Sequence, residues 1–490
     1  MLQEIIKTAM IGTEKYLPAP DTALMQEVTE KITATREDKE DAFLKLTAAY
    51  LLLQEAGKQL PVNDYRHATA PPDNRPQLSA DSASLINQLL KTNEEALLAY
   101  ALHRVAASGK VVRPELVPAL LNKAAARKDN SLYLQVCGER GPWLARLSEQ
   151  WKMLYLGTNE DIWQTGTSAQ RREYLNAVRK TDPQLGRALL AGVIEQESAN
   201  LRYELLNQLI VGLSADDEAF LISQTKDKSQ KVKQTAYTLL KLLPQSAISR
   251  QYATFLKEAL LLKEERVLLI GKKKLFEVNK DIAYPQALAD SGLEKMSSQK
   301  GIEDRDYWVA QAIEHLHPHF WQKSYGLTAD QTVQLFMEHK QKELFLTSLI
   351  HAAFLHKHQP LAHALLRQHA VSHPSILQVL PLQERWSYAA QFTDNSSNAA
   401  QLLPLLMDEA YVPIPAGLCR KLLEIFIHKP YDVSQPLYHS WALYMPAGLL
   451  PYLQELAKIE SEHYQQRFFR NVVTEMSRII ETREQLNASI

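Results

Sequence analysis

The sequence predicts an all-α protein, on three observations. Glycine supplies only 16 of 490 residues, well under the roughly 7% of an ordinary soluble chain, which argues against glycine-rich sheets and barrels. Leucine and alanine, both strong helix formers, recur from end to end. Apolar residues fall at intervals of three and four in segment after segment, the spacing that gives a helix one buried face. With 46% apolar and 23% charged residues, the chain has the make-up of a soluble globular protein and can bury a large core.

From the start, Met1 to Met10 mixes acid and base into an apolar stretch and reads as a short amphipathic helix rather than a secretory signal. Residues 38–56 carry Phe43, Leu44, Leu46, Ala49, Tyr50 and Leu53 in a helical stripe. Pro61, Pro71, Pro72 and Pro76 then crowd a polar stretch from 57 to 81, which suits an exposed connection. Thr92-Asn-Glu-Glu95 has the spacing of a capping box, and the apolar run Ala96 to Leu102 follows directly, so a helix start is expected there. Asp182-Pro183, Ser214-Ala-Asp-Asp217 and Thr328-Ala-Asp-Gln331 carry the same kind of signal.

Sliding Ser198–Leu213 by 31 positions onto Ser229–Pro244 superposes Leu201 on Val232, Leu205 on Ala236, Leu206 on Tyr237 and Leu209 on Leu240. Each segment follows a shorter amphipathic helix, 184–194 and 216–223, so the unit is a helix pair stacked on its neighbour, an α-solenoid of HEAT-like pairs. The step is shorter than the HEAT period of about 40. Two amphipathic helices also match simply by sharing a pattern, and either reading is helical. Residues 265–278 dissent: β-branched and aromatic side chains around Gly271 fit a small hairpin or a helix that ends at Gly271. Tyr464, Phe468, Val472, Met476, Ile479 and Ile480 predict a long closing helix from about 460 to 487. The expected organisation is an N-terminal helical region (1–150, with the proline-rich loop at 57–81), a helix-pair array (151–263) and a C-terminal helical region (264–490).

Lys plus Arg total 55 and Asp plus Glu 56, so no global field pulls the chain toward nucleic acid or anionic membrane. Cys137 and Cys419 stand far apart without a CxxC pair, which excludes a disulfide scaffold and a Cys-ligated zinc and suits a reducing compartment. No apolar run nears the roughly 18 residues of a membrane span. The expectation is a soluble, cytoplasmic protein without membrane contact.

Phosphate-loop, dinucleotide-turn, zinc-protease and serine-hydrolase signatures do not occur in the sequence. Adjacent acids such as Asp216 and Asp217 are what a solvated helix face produces. No catalytic residue, cofactor or metal ligand is therefore expected. Three clusters remain. His315, His317 and His319 alternate, and His351, His356, His358, His363, His369 and His373 follow; imidazoles at close quarters can bind zinc, but no acid lies between Glu343 and Glu384, and interhelical hydrogen bonding is the default. Twelve basic residues against four acidic ones lie between Lys226 and Lys274, with Lys228, Lys231, Lys233, Lys272, Lys273 and Lys274 as candidate nucleic-acid contacts; a solvated face is the plainer account. Trp143, Trp151 and Trp163 surround Gly138-Glu-Arg-Gly-Pro142 as candidate contacts for a protein partner or as filling between irregular helices.

Gly138-Glu-Arg-Gly-Pro-Trp-Leu144, Trp163-Gln-Thr-Gly166, Gln170-Arg-Arg172, Asp182-Pro183 and Val211-Gly-Leu-Ser214 resemble a bacterial family known as domain of unknown function 5691. Ile11-Gly-Thr-Glu14, Asp306-Tyr-Trp308, His319-Phe-Trp321 and Gly326-Leu327 extend the resemblance over most of the chain. It implies a HEAT-like helical protein, commonly encoded beside MoxR-type AAA+ ATPases, von Willebrand factor A proteins and SWIM zinc-finger proteins. It supplies no catalytic residue to carry over. The expected function is a non-enzymatic scaffold or adaptor for a protein partner, with nucleic-acid binding through residues 226–274 as the alternative.

Overall fold

The computed structural model describes residues 1–35, 38–56, 69–92, 94–127, 130–152, 154–155, 161–267, 271–458 and 464–490, the side chains of 161, 266, 267, 271 and 272 excepted. Among these residues the elements are helices apart from one two-stranded sheet and an isolated bridge, so the chain is all-α. It divides into two compact units, Met1–Thr69 and Ala70–Ile490, at a point within the proline-rich stretch.

The first unit contains helices Leu2–Ile11, Ala23–Thr33 and Lys39–Ala56. Thr22 caps the second helix, its hydroxyl accepting the Met25 N–H at 3.2 Å. Met25 and Leu46 are buried, and the second and third helices pack together. The stripe expected on 38–56 holds except at Leu44, which is exposed.

The larger unit starts where Leu78 N–H meets the Val111 carbonyl at 3.0 Å and Val111 N–H meets that of Pro76 at 2.9 Å. Its first helices are Ala80–Thr92 and Glu95–Ala107. Here the capping-box expectation fails. Thr92 belongs to the end of the earlier helix, its hydroxyl bonded to the Gln88 carbonyl at 3.0 Å, and Glu94 takes the cap position without a side-chain bond. The other three start signals are realised. Asp182 accepts the Leu185 N–H, the Asp217 carboxylate accepts the Ser214 N–H, and Thr328 and Gln331 exchange both bonds of a capping box.

In the middle, helices Ser168–Thr181, Ala199–Leu206 and Gln230–Lys241 follow Thr167, Ser198 and Ser229, which recur at a constant step of 31 residues. Each is followed by a second helix: Pro183–Val193, Glu218–Gln224 and Ala247–Ala259. The 31-residue match in the sequence covers Ala199–Leu206 and Gln230–Lys241; Thr167 extends the same spacing one step earlier. Ser168–Thr181 packs on Ala199–Leu206, which packs on Gln230–Lys241. Polar side chains tie the first two together at a constant offset: Arg172 to Glu204 at 3.3 Å, Asn176 to Gln208 at 3.1 Å and Arg179 to the Val211 carbonyl at 2.8 Å.

The hairpin expected around Gly271 forms. Strand β1, Leu260–Val267, pairs antiparallel with β2, Gly271–Val278. Phe276, opposite Leu262, anchors it, stacked on Phe336 at 4.9 Å and close to Trp321 and Tyr325. The final helix, Tyr464–Ser489, buries Val472, Met476, Ile479 and Ile480 of its expected stripe, with Phe468 half-buried and Tyr464 exposed. It packs on Leu450–Ala457 and Gln435–Ala442, and also on the unit's first two helices. Ser82 donates to the Ser489 carbonyl at 2.7 Å, Tyr100 to Asn487 at 2.6 Å and Lys110 to the Ile490 carbonyl at 2.6 Å, while Arg478 meets Glu94 at 2.9 Å. The larger unit thus closes its last helix onto its first.

Candidate functional site

Outside the sequence-derived candidates, Arg179 is a fully bonded buried side chain. It is 0% exposed. Its guanidinium donates to the carbonyls of Val211, Pro183 and Leu209, each at 2.8 Å, and to both oxygens of Asp217 at 3.0 Å. Asp217 also accepts from Arg187 at 3.0 Å and from the Ser214 N–H. Burial alone raises a carboxyl pKa, but the bonds from Arg179, Arg187 and Ser214 outweigh it and hold Asp217 below its ordinary value. Two glycines make the space: a Cβ at Gly186 would lie 2.5 Å from the Arg179 Cδ, and one at Gly212, where φ is +63°, would lie 2.8 Å from Pro183. The segments Asp182-Pro183 and Val211–Ser214 are therefore the walls of a buried joint between consecutive helix pairs. Sequence reading passed over Arg179, although Ser214 with Asp217 three residues later and the nearby glycines were its available signal.

Gly138 has a similar role. At φ +60° it lets the Asp73 carboxylate accept the Glu139 N–H at 2.9 Å, where a Cβ would lie 2.1 Å from that oxygen. Arg75 chelates the same carboxylate and holds it well below the ordinary range. Of the candidate tryptophans, Trp163 is 3% exposed and packs under the Arg171 guanidinium, within the core. Trp143 and Trp151 are half-buried, and Trp151 donates to Asn122 at 2.9 Å.

The candidate lysines lie on two different elements. Lys228, just before helix Gln230–Lys241, and Lys231 on it are exposed, with Lys231 over the Tyr203 ring at 3.7 Å; Lys233 is half-buried. Lys273 and Lys274 are exposed on β2, opposite Glu265 and Glu264 across the hairpin, and Lys273 pairs with Glu338 at 2.9 Å. The Lys272 side chain lies outside the described residues. Lys241, counted in the same basic stretch, is interior: its ammonium donates to the Ser291 carbonyl and faces His315 Nε2, both at 3.1 Å. Burial pushes its pKa down to about 8, partly countered by Glu314.

The histidines divide by position. Two His-x-His turns from distant parts of the chain, His317-Pro-His319 and His356-Lys-His358, face each other. Ring centres lie 4.6 Å apart for 317 and 319, 5.0 Å for 317 and 356, 5.5 Å for 317 and 358, and 5.3 Å for 319 and 358. His317 Nδ1 accepts the His319 N–H and His358 Nδ1 accepts the Leu361 N–H, both at 3.2 Å. A neutral ring whose Nδ1 accepts carries its proton on Nε2. Neither ring then has a lone pair left for a metal, and among the described residues no group of three or more His, Cys, Asp or Glu is arranged to hold one. His339 and His373 likewise accept a main-chain N–H two residues on. Much of the histidine enrichment is thus turn and helix-end chemistry, with imidazole in the role usual for Asn or Asp.

Two clefts add lining without convergent chemistry. One of about 630 Å³ lies where the last helix meets the first and is lined by Glu94, Arg127, Tyr411, His439, Tyr444 and Arg478. Another, of about 550 Å³, lies beside the hairpin, with Lys273, Arg305, Asp306 and Glu338 in its walls. The two thiols, Cys137 and Cys419, are buried and pushed up to about 12 by that burial. No described helix is long and apolar enough to cross a membrane.

These features define an all-helical protein whose buried polar groups join one helix to the next. The chain belongs to the family of unknown function DUF5691, whose model matches residues 4–490. No curated protein and no solved structure matches it.

Proposed function

We propose that this protein is a non-enzymatic scaffold, a HEAT-like α-solenoid in the cytoplasm that offers a broad helical face to a protein partner. The observation that carries this reading is the 31-residue recurrence of Thr167, Ser198 and Ser229, each ahead of a helix pair packed on the next; stacked pairs supply an extended binding surface. The buried Arg179–Asp217 joint supports it, because residues that carry the family resemblance form its walls. A MoxR-type AAA+ ATPase or a von Willebrand factor A protein is the partner that resemblance implies. Affinity purification of the full chain from its native host, with quantitative mass spectrometry, tests this: such a partner should be recovered and should co-migrate with the purified chain. Recovery of no protein partner, together with turnover of a small substrate by the pure chain, would reject it.

A second reading, nucleic-acid binding, is favoured by the exposure of Lys228, Lys231 and Lys274. It requires affinity for a short duplex that falls steeply with salt and weakens when these three lysines become alanine. Undetectable binding at low salt removes it.

A further inference from the structure

We propose that the two facing His-x-His turns form a proton-operated joint: neutral, they hold Asp304–His315 and His319–Tyr325 against Lys342–Leu355 and Gln359–Arg367, and on acidification they release that seam while the helix pairs of 168–259 stay folded. The argument rests first on hydrogen-bond roles. His317 and His358 each use Nδ1 as an acceptor for a main-chain N–H, and protonation turns that acceptor into a donor aimed at another donor. Each turn loses its cap when its own ring takes a proton. His356 Nε2 donates to the His315 carbonyl at 3.2 Å, bridging the two sides directly. Lys357, between His356 and His358, has φ +47°, a left-handed conformation that a non-glycine residue rarely adopts.

The surroundings add charge of the wrong sign for extra protons. From helix Gln230–Lys241, Lys241 faces His315 Nε2 at 3.1 Å, and from Ala247–Ala259 the Tyr252 ring meets the His315 ring edge-on at 5.5 Å. Glu314, the carboxylate on Asp304–His315 nearest this region, is 3.4 Å from His351 Nδ1 on the facing helix and also acts on Lys241. Lys357 sits within its own turn. Any two charged rings of the cluster would repel at these separations. Consistent with this, burial first and the neighbouring cations and imidazoles second hold His315 down to about 3, His356 and His358 down to about 4, and His317 below its ordinary value. An opened seam would let these rings take protons near the ordinary value of about 6.5. The opening equilibrium then grows by about tenfold per pH unit for each histidine that gains a proton.

Hydrogen exchange by mass spectrometry on the full chain at pH 7.5 and pH 5.0, corrected for intrinsic rates, tests the joint. Amides of 304–325 and 342–367 should lose protection at pH 5.0 by at least about tenfold, as expected for one proton gained over one pH unit, with 168–259 unchanged. The triple variant H317N/H356Q/H358N keeps an acceptor near each Nδ1 and a donor near Nε2 without those three titrating rings, and its seam should lose far less protection between the two pH values than that of the wild type, the remainder being set by His315. Unchanged protection in the wild-type seam overturns the proposal, as does a loss spread evenly over the chain, which needs no variant to detect. A full acid response in the folded variant also overturns it.

Discussion

Arg179 stands with no exposure to water and its guanidinium bonds directed at one joint, so its contribution is conditional on its partner. Asp217→Ala would leave a buried guanidinium facing three carbonyls and no counter-charge. Breaking a buried pair from one side typically costs about 3–5 kcal/mol, and a loss of that size in unfolding free energy by urea denaturation is the expected outcome. Arg179→Lys should not restore stability, because an ammonium lacks the planar fork that reaches five acceptors. Lys241 offers a second residue-scale prediction with the opposite logic. Burial holds its folded pKa down to about 8, against about 10.5 for a lysine in the unfolded chain, so the unfolded chain holds the extra proton between those limits and the folded chain does not. Stability from this residue therefore rises with pH across that window. Going from pH 7.5 to 9.5, the wild type should gain in urea midpoint relative to Lys241→Met; an identical pH response in both would refute this account of the buried amine.

At the scale of elements, most helix starts were legible and one was not. Asp182, Ser214 and Thr328 behave as their spacing predicts because a short polar side chain ahead of an apolar stripe has few alternatives to capping. Thr92 fails for a local reason: the preceding helix runs through it and bonds its hydroxyl to Gln88. Thr167 and Gln170 form a reciprocal capping box at the head of Ser168–Thr181, so Thr167→Ala should cost about 1 kcal/mol, read as a fall in melting temperature. The hairpin at 260–278 was open to two readings, since Gly271 fits a turn or a helix end. Phe276 decides it by finding an aromatic pocket formed by Trp321, Tyr325 and Phe336. Phe276→Ala should cost about 3–5 kcal/mol by urea denaturation, far more than Lys274→Ala at an exposed position nearer the turn of the same strand.

For the larger unit as a whole, the closing contact between the last helix and the first two is the feature with most consequence. Four polar links bridge it: Ser82 to Ser489, Tyr100 to Asn487, Lys110 to Ile490 and Arg478 to Glu94. Removing residues 487–490 deletes three of them. The shortened chain should melt at lower temperature and be cut by protease in 80–107 sooner than the intact chain; unchanged cleavage there would show that the closure holds without its polar links.

The helical class, the 31-residue step and the final helix followed from the sequence because they depend on local spacing: apolar period, cap chemistry and turn residues act over a few positions. What the sequence could not reveal was which polar groups meet. Arg179 with Asp217, Lys241 with His315, and His317 with His356 and His358 come from different helices. Their burial and protonation are set by packing between elements, and only the tertiary structure turned a basic stretch into one interior amine among surface lysines, and a run of histidines into two facing turns.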